Sequence, residues 1–241
     1  MPISDYNHRH RGMTYSYERE RMKKYVAYLL LLTSLLLFIS TLLDLTESIS
    51  VWMESFLLTN LGHTGKWSDT YGPHWFVHTV NDISALAGKP LIFIALVLIV
   101  IYYKIREEHK LLWKFLLTVL GGIFILQIMK MAFTNKVLYE PIEFIIENIA
   151  GYPSGHAMIA MIFYLTLAVF LTRKQRRYKV RIFTLISASV IIFLVGICRI
   201  LGANHTFTEV LAGWSAGLAW LCICWLIERF INKITSTKFV S

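Results

Sequence analysis

The chain has 241 residues, 56% of them hydrophobic and 16% charged, with a formal net charge of +9 and a mean hydropathy of +0.56. Soluble domains carry roughly 25% charged residues, so this composition excludes a water-soluble globular fold and puts the chain in lipid. The basic excess follows from membrane topology and from attraction to anionic lipid headgroups, and needs no nucleic-acid partner.

In chain order, residues 1–24 are polar and basic (Arg9, Arg11, Arg19, Arg21, Lys23, Lys24). No small-residue cleavage site follows the first apolar run, so these residues are expected as a retained cytoplasmic tail and not as a signal peptide. Six apolar stretches of about 20 residues, enough to cross a hydrocarbon core of about 30 Å, are expected near 25–45, 87–104, 115–134, 154–172, 182–201 and 208–227. They predict an all-α polytopic membrane protein, a six-transmembrane-helix bundle over 25–227, with residues 228–241 as a second cytoplasmic tail. The 46–86 stretch is rich in aromatic and turn-forming residues (Trp52, Trp67, Tyr71, Gly72, Pro73, Trp75, Phe76) and suits a re-entrant or interfacial segment. His74 and His78, four apart within it, supply only half of a metal site, and no third ligand stands out.

Lys and Arg cluster in the N-terminal tail, the 104–114 and 173–181 loops and the C-terminal tail, all on one side of a six-span chain. The positive-inside rule makes that side, and both termini, cytoplasmic. The remaining basic residues are Lys66, Lys89, Lys130, Lys136 and Arg199, and three of them flank two polar clusters at the opposite ends of the spans. An anionic ligand is the natural inference. Cys198, Cys222 and Cys224 lie in or beside spans, where reduced, structural thiols are expected.

The first cluster is Pro153-Ser154-Gly155-His156, opening the fourth span. Pro suits the first turn of a helix, Gly admits a ligand close to backbone, and the free N–H groups at the positive helix end bind an anion. Alone it fits equally a capped helix start with an interfacial His. In the second cluster, Arg199 closes the fifth span, and His205 and Glu209 follow at spacings of six and four. One helical turn between 205 and 209 would put a carboxylate on one imidazole nitrogen and leave the other free to attack, while Arg199 holds phosphate oxygens. By itself this cluster also fits a charge pair closing a loop.

Together the two clusters resemble the type 2 phosphatidic acid phosphatase superfamily, over roughly residues 80–227. Pro153 to His156 match its central motif. Cys198-Arg199 through His205 to Glu209 match its last, Ser-Arg-x5-His-x3-Asp, with Cys for Ser and Glu for Asp. Lys130 stands at the lysine of the first motif, Lys-x6-Arg-Pro, but Val137 and Leu138 occupy the Arg-Pro positions and Lys136 sits one residue early. The resemblance implies that His205 attacks phosphorus to give a phosphohistidine and that Glu209 orients it. It implies that His156 protonates the leaving oxygen, and that Arg199, Lys130, Ser154 and Gly155, with Lys136 as a substitute charge, bind the phosphate. It implies no metal or other cofactor.

The expected protein is therefore an integral, plasma-membrane lipid phosphatase with an extracytoplasmic or lumenal site. Its substrate would be a membrane lipid phosphate: phosphatidate, a polyprenyl diphosphate or a lipid A phosphate. A phosphotransferase using an alcohol acceptor and a non-catalytic binding or scaffold protein are the alternatives.

Overall fold

The computed structural model describes residues 3–61, 73–133, 151–173 and 175–238. Among these residues every regular element is a helix: α1 (Ile3–Leu42), α2 (Glu47–Leu61), α3 (His74–Ala85), α4 (Lys89–Ile105), α5 (His109–Ala132), α6 (Gly155–Thr172), α7 (Tyr178–Leu201) and α8 (Phe207–Lys238). Among the described residues six stretches are long and apolar enough to cross a membrane: Arg21–Leu42, His74–Ile105, His109–Ala132, Gly155–Thr172, Tyr178–Leu201 and Phe207–Thr235. The all-α, six-span expectation holds, with shifted ends. α5 starts six residues before 115 because its first turns carry Lys110 and Lys114, whose long stems remain compatible with a helix end at the interface. α8 runs past 227 for the same reason, through Glu228 and Arg229.

The 46–86 stretch forms α2 and α3, joined through residues 62–72, which lie outside the described residues. α3 packs on α7 and leads by a short turn into α4, where Gly88 precedes Pro90 in the first helical turn. α2 places Leu57 in a cluster with Ala157, Ile200 and Val210, beneath the ends of α6, α7 and α8.

α6 is the central helix. Half of its apolar window is buried, against 17–39% for the others, and it packs on α5, α7 and α8. Lipid tails are as apolar as leucine, so helices in a bilayer associate by close packing at small residues. Here a Cβ on Gly213 of α8 would stand 2.6 Å from the Ser154 carbonyl oxygen, and one on Gly217 would stand 2.9 Å from Met161 Cβ. Phe115 of α5 meets Phe163 and Phe170 of α6 edge-to-face at 6.2 and 5.4 Å. At the end of the bundle formed by the α5 start and the α6 finish, Glu228 bridges Lys114 Nζ at 2.7 Å and Arg173 Nη2 at 3.0 Å. The other end, where α3, α5 and α7 finish and α6 and α8 begin, gathers both polar clusters.

Candidate active site

The Arg199 to His205 spacing is set by how α7 stops. Gly202 N–H donates to the Cys198 carbonyl at 2.9 Å, and Ala203 takes a left-handed conformation at φ 51°. The chain then doubles back so that Asn204 and His205 both donate their backbone N–H to the Arg199 carbonyl, each at 3.1 Å. Fixing His205 on the arginine's own carbonyl is what the five intervening residues accomplish.

His205 precedes α8 and does not lie on its first turn, which corrects the expected helical pairing. The contact with Glu209 comes instead from a capping box, Thr206-x-x-Glu209. Glu209 donates its N–H to Thr206 Oγ1 at 3.2 Å, and Thr206 N–H donates to Glu209 Oε2 at 3.1 Å. The same Oε2 lies 2.8 Å from His205 Nδ1, with the two side chains 1% and 4% exposed. A carboxylate oxygen only accepts, so Nδ1 carries a hydrogen, and in the neutral imidazole the lone pair is then on Nε2.

The first cluster is bound to the second through backbone. Ser154 N–H donates to the Glu209 carbonyl at 3.0 Å, and the absent Cβ of Gly213 permits the approach. Pro153 falls before the cap and not in the first turn as expected: Ser154 is the N-cap residue, and α6 begins at Gly155. The Tyr152–Pro153 peptide bond is cis, and Gly151 has φ 54°. Ser154 makes no side-chain cap bond, and its fully buried Oγ has no partner among the described residues. Arg199 Nε is buried and unpaired in the same sense. Buried polar groups are nearly always paired, so an unpaired atom on each of the two motif clusters leaves a hydrogen bond open to an oxygen-rich ligand.

Lys130, in the last turn of α5, reaches over the α6 start: its Cε and Nζ are 3.5 and 3.8 Å from where a Gly155 Cβ would sit. His156, half-buried on the first turn of α6, has Arg199, His205, Lys130 and Lys89 within electrostatic reach. The structure thus brings together His156, His205, Glu209, Arg199, Lys130, Ser154 and Gly155 from four helix ends, those of α5 and α7 and the starts of α6 and α8. Lys136, together with Lys66 and the acidic 140–147 stretch, lies outside the described residues.

Three participants escaped sequence reasoning. Thr206 had a signal, the T-x-x-E spacing. Ser84 of α3 had none: its Oγ accepts from Arg199 Nη1 at 3.1 Å across 115 positions. The third is Tyr152, completely buried between Phe38 and Phe133, whose hydroxyl lies 2.8 Å from Thr41 Oγ1 on α1. The Thr41 hydrogen already goes to the Phe38 carbonyl at 2.7 Å, so the phenol donates; burial pushes its pKa up to about 12, which keeps it protonated. His74 and His78 meet edge-to-face on α3 with ring centroids 4.5 Å apart, and no group of three or more possible metal ligands forms among the described residues.

A PA-phosphatase related-family protein of Dictyostelium discoideum is 38% identical over 92 residues, 36% of this chain and 25% of that protein. Phosphatidylglycerophosphatase B of Bacillus subtilis is 36% identical over 111 residues, 42% of this chain and 52% of that protein. The chain thus matches from a quarter to about half of the length of these curated relatives. The crystal structure of a transmembrane PAP2-type phosphatidylglycerolphosphate phosphatase from Bacillus subtilis shares the fold, with a TM-score of 0.65 and 22% identity over 87% of this chain and 98% of that one. A family model, the PAP2 superfamily, matches residues 111–233, which hold α6, α7, most of α8 and every residue of the two motif clusters. With half of its length matched in this way, the chain belongs to the PAP2 superfamily.

Proposed function

We propose that the chain is a membrane phosphatase that hydrolyses a lipid phosphate ester or diphosphate through a phosphohistidine on His205. The observation that carries this reading is the buried His205–Glu209 pair at 2.8 Å, held by a capping box and bonded through the Glu209 carbonyl to the Ser154 N–H. A neutral imidazole with Nδ1–H on a carboxylate presents Nε2 as a nucleophile.

In the first step Nε2 attacks phosphorus, the bond from phosphorus to the lipid oxygen breaks, and His156, which takes up a proton as the anionic phosphate binds beside it, gives that proton to the leaving oxygen. In the second, His156 takes a proton from water as the water oxygen attacks phosphorus, the P–N bond breaks and inorganic phosphate leaves. Arg199, Lys130, the Ser154 hydroxyl and the Gly155 N–H at the α6 start neutralise the equatorial oxygens, where phosphoryl transfer concentrates its charge.

Phosphatidylglycerophosphate, named for the Bacillus relatives, heads the substrates to test, ahead of phosphatidate and polyprenyl diphosphate. The basic loops would face the cytoplasm and anionic headgroups there, with both termini, and the site would open at the outer interface of the plasma membrane. The test is phosphate release by detergent-purified protein across a lipid phosphate panel, with His205→Ala as the blank. Release lost in the variant is expected. Label passing to an added alcohol in place of water would make the protein a transferase, and an inert wild type would refute catalysis.

A further inference from the structure

Arg199 is half-buried at the end of α7, beside the start of the turn that carries His205. What sets its direction lies outside both motif clusters. Nη1 donates to Ser84 Oγ at 3.1 Å, while Nε has no partner among the described residues. Ser84 is itself buried, at the last turn of α3.

That turn is firmly held. Val80, buried one helical turn earlier, packs on Gly202, where a Cβ would come within 3.4 Å of Val80 Cγ1. Tyr164 of α6 donates its hydroxyl to the Leu86 carbonyl at 2.7 Å, and Ala87 is buried against Ala160, Ile192 and Val195. The hydroxyl of Ser84 is therefore a fixed point on a supported element, as a group that orients a binding side chain must be.

The chemical type of the partner matters as much as its position. A carboxylate at 84 would hold the guanidinium more strongly, but it would cancel the charge and compete with the incoming anion. A neutral oxygen fixes one nitrogen and leaves the full positive charge, and the unpaired Nε, for the ligand. We propose that Ser84 is the positioning residue for Arg199: an uncharged anchor that aims the guanidinium at the phosphate without neutralising it.

This proposal rests on the phosphatase reading, and the test separates the two. Orthovanadate, which mimics five-coordinate phosphorus, is titrated onto the detergent-purified full chain, and its dissociation constant is read beside kcat and KM for the lipid phosphate that wild type turns over fastest. Arg199→Ala should abolish vanadate binding. Ser84→Ala should weaken it about tenfold, the scale of one hydrogen bond to a charged group. Ser84→Thr, which keeps the hydroxyl, should restore it to within about threefold, and Ser84→Asp should be as severe as Arg199→Ala.

If Ser84→Ala binds vanadate like wild type while Arg199→Ala does not, the anchor is refuted and the phosphate site stands. Equal losses in the Thr and Ala variants would mean that α3 only packs there, which also overturns it. Vanadate bound normally by Arg199→Ala, or by no variant and not by wild type, would sink the site assignment and the anchor together.

Discussion

Shortening Glu209 by one methylene tests whether its carboxylate serves two partners at once. Oε2 accepts from His205 Nδ1 at 2.8 Å and from Thr206 N–H at 3.1 Å. In Glu209→Asp the carboxylate withdraws by about one C–C bond, roughly 1.5 Å, beyond the range in which both contacts survive. The backbone cannot follow, since Glu209 N–H is bound to Thr206 Oγ1 and its carbonyl to Ser154 N–H. At least one hydrogen bond to a charged group is lost, about 1.5–3 kcal/mol, so kcat/KM should fall roughly 10- to 150-fold. Loss of the box should also lower stability by about 1 kcal/mol. Glu209→Gln is the companion: glutamine still fits the box, so melting should be unchanged, but the negative charge that favours the Nδ1–H form of His205 is gone and turnover should fall further. Phosphate release and thermal melting of the three proteins decide it. An aspartate variant within twofold of wild type, or a glutamine variant that melts early yet turns over faster than the aspartate one, would refute the double role.

His205→Ala should abolish both turnover and labelled phosphoenzyme, whereas His156→Ala should still trap label on brief exposure to radiolabelled substrate, because bond formation to Nε2 precedes the water step; label lost only in the His156 variant would reverse the two roles. Gly213→Ala drives a methyl group to 2.6 Å from the Ser154 carbonyl, and overpacking of this kind costs about 1–3 kcal/mol. The variant should melt lower and lose activity together, as read by melting curves and phosphate release. Reporter fusions active only outside the cytoplasm should be bright after Pro73 and dark after Arg177, and the reverse pattern would invert the orientation.

The spans were legible because a bilayer demands about 20 apolar residues in a row, and that demand is written locally. Their ends were not, since Lys114 belongs to α5 through a partner, Glu228, that lies 114 positions away. His205 and Glu209 were readable as a pair from spacing, but the reason that glutamate fits was hidden in Thr206, which only a cap at that residue makes meaningful. Ser84 shows the limit most plainly. It is an uncharged residue in an apolar stretch, and its relation to Arg199 exists only once α3 packs on α7.

Thr41, Thr46 and Ser84 all fall outside residues 111–233, yet each touches a residue within that segment: Thr41 meets Tyr152, Thr46 Oγ1 lies 3.0 Å from Thr208 Oγ1, and Ser84 receives Arg199. The recognisable segment is consequently not a portable module. Grafted behind a foreign leader of four equally greasy helices, it would carry both histidines intact while the Tyr152 phenol, the Thr208 hydroxyl and the Arg199 guanidinium each lost a polar neighbour in a low-dielectric interior. Two homologues could then share every motif residue and still differ in how well the site is aimed, through substitutions in helices that a motif search never inspects.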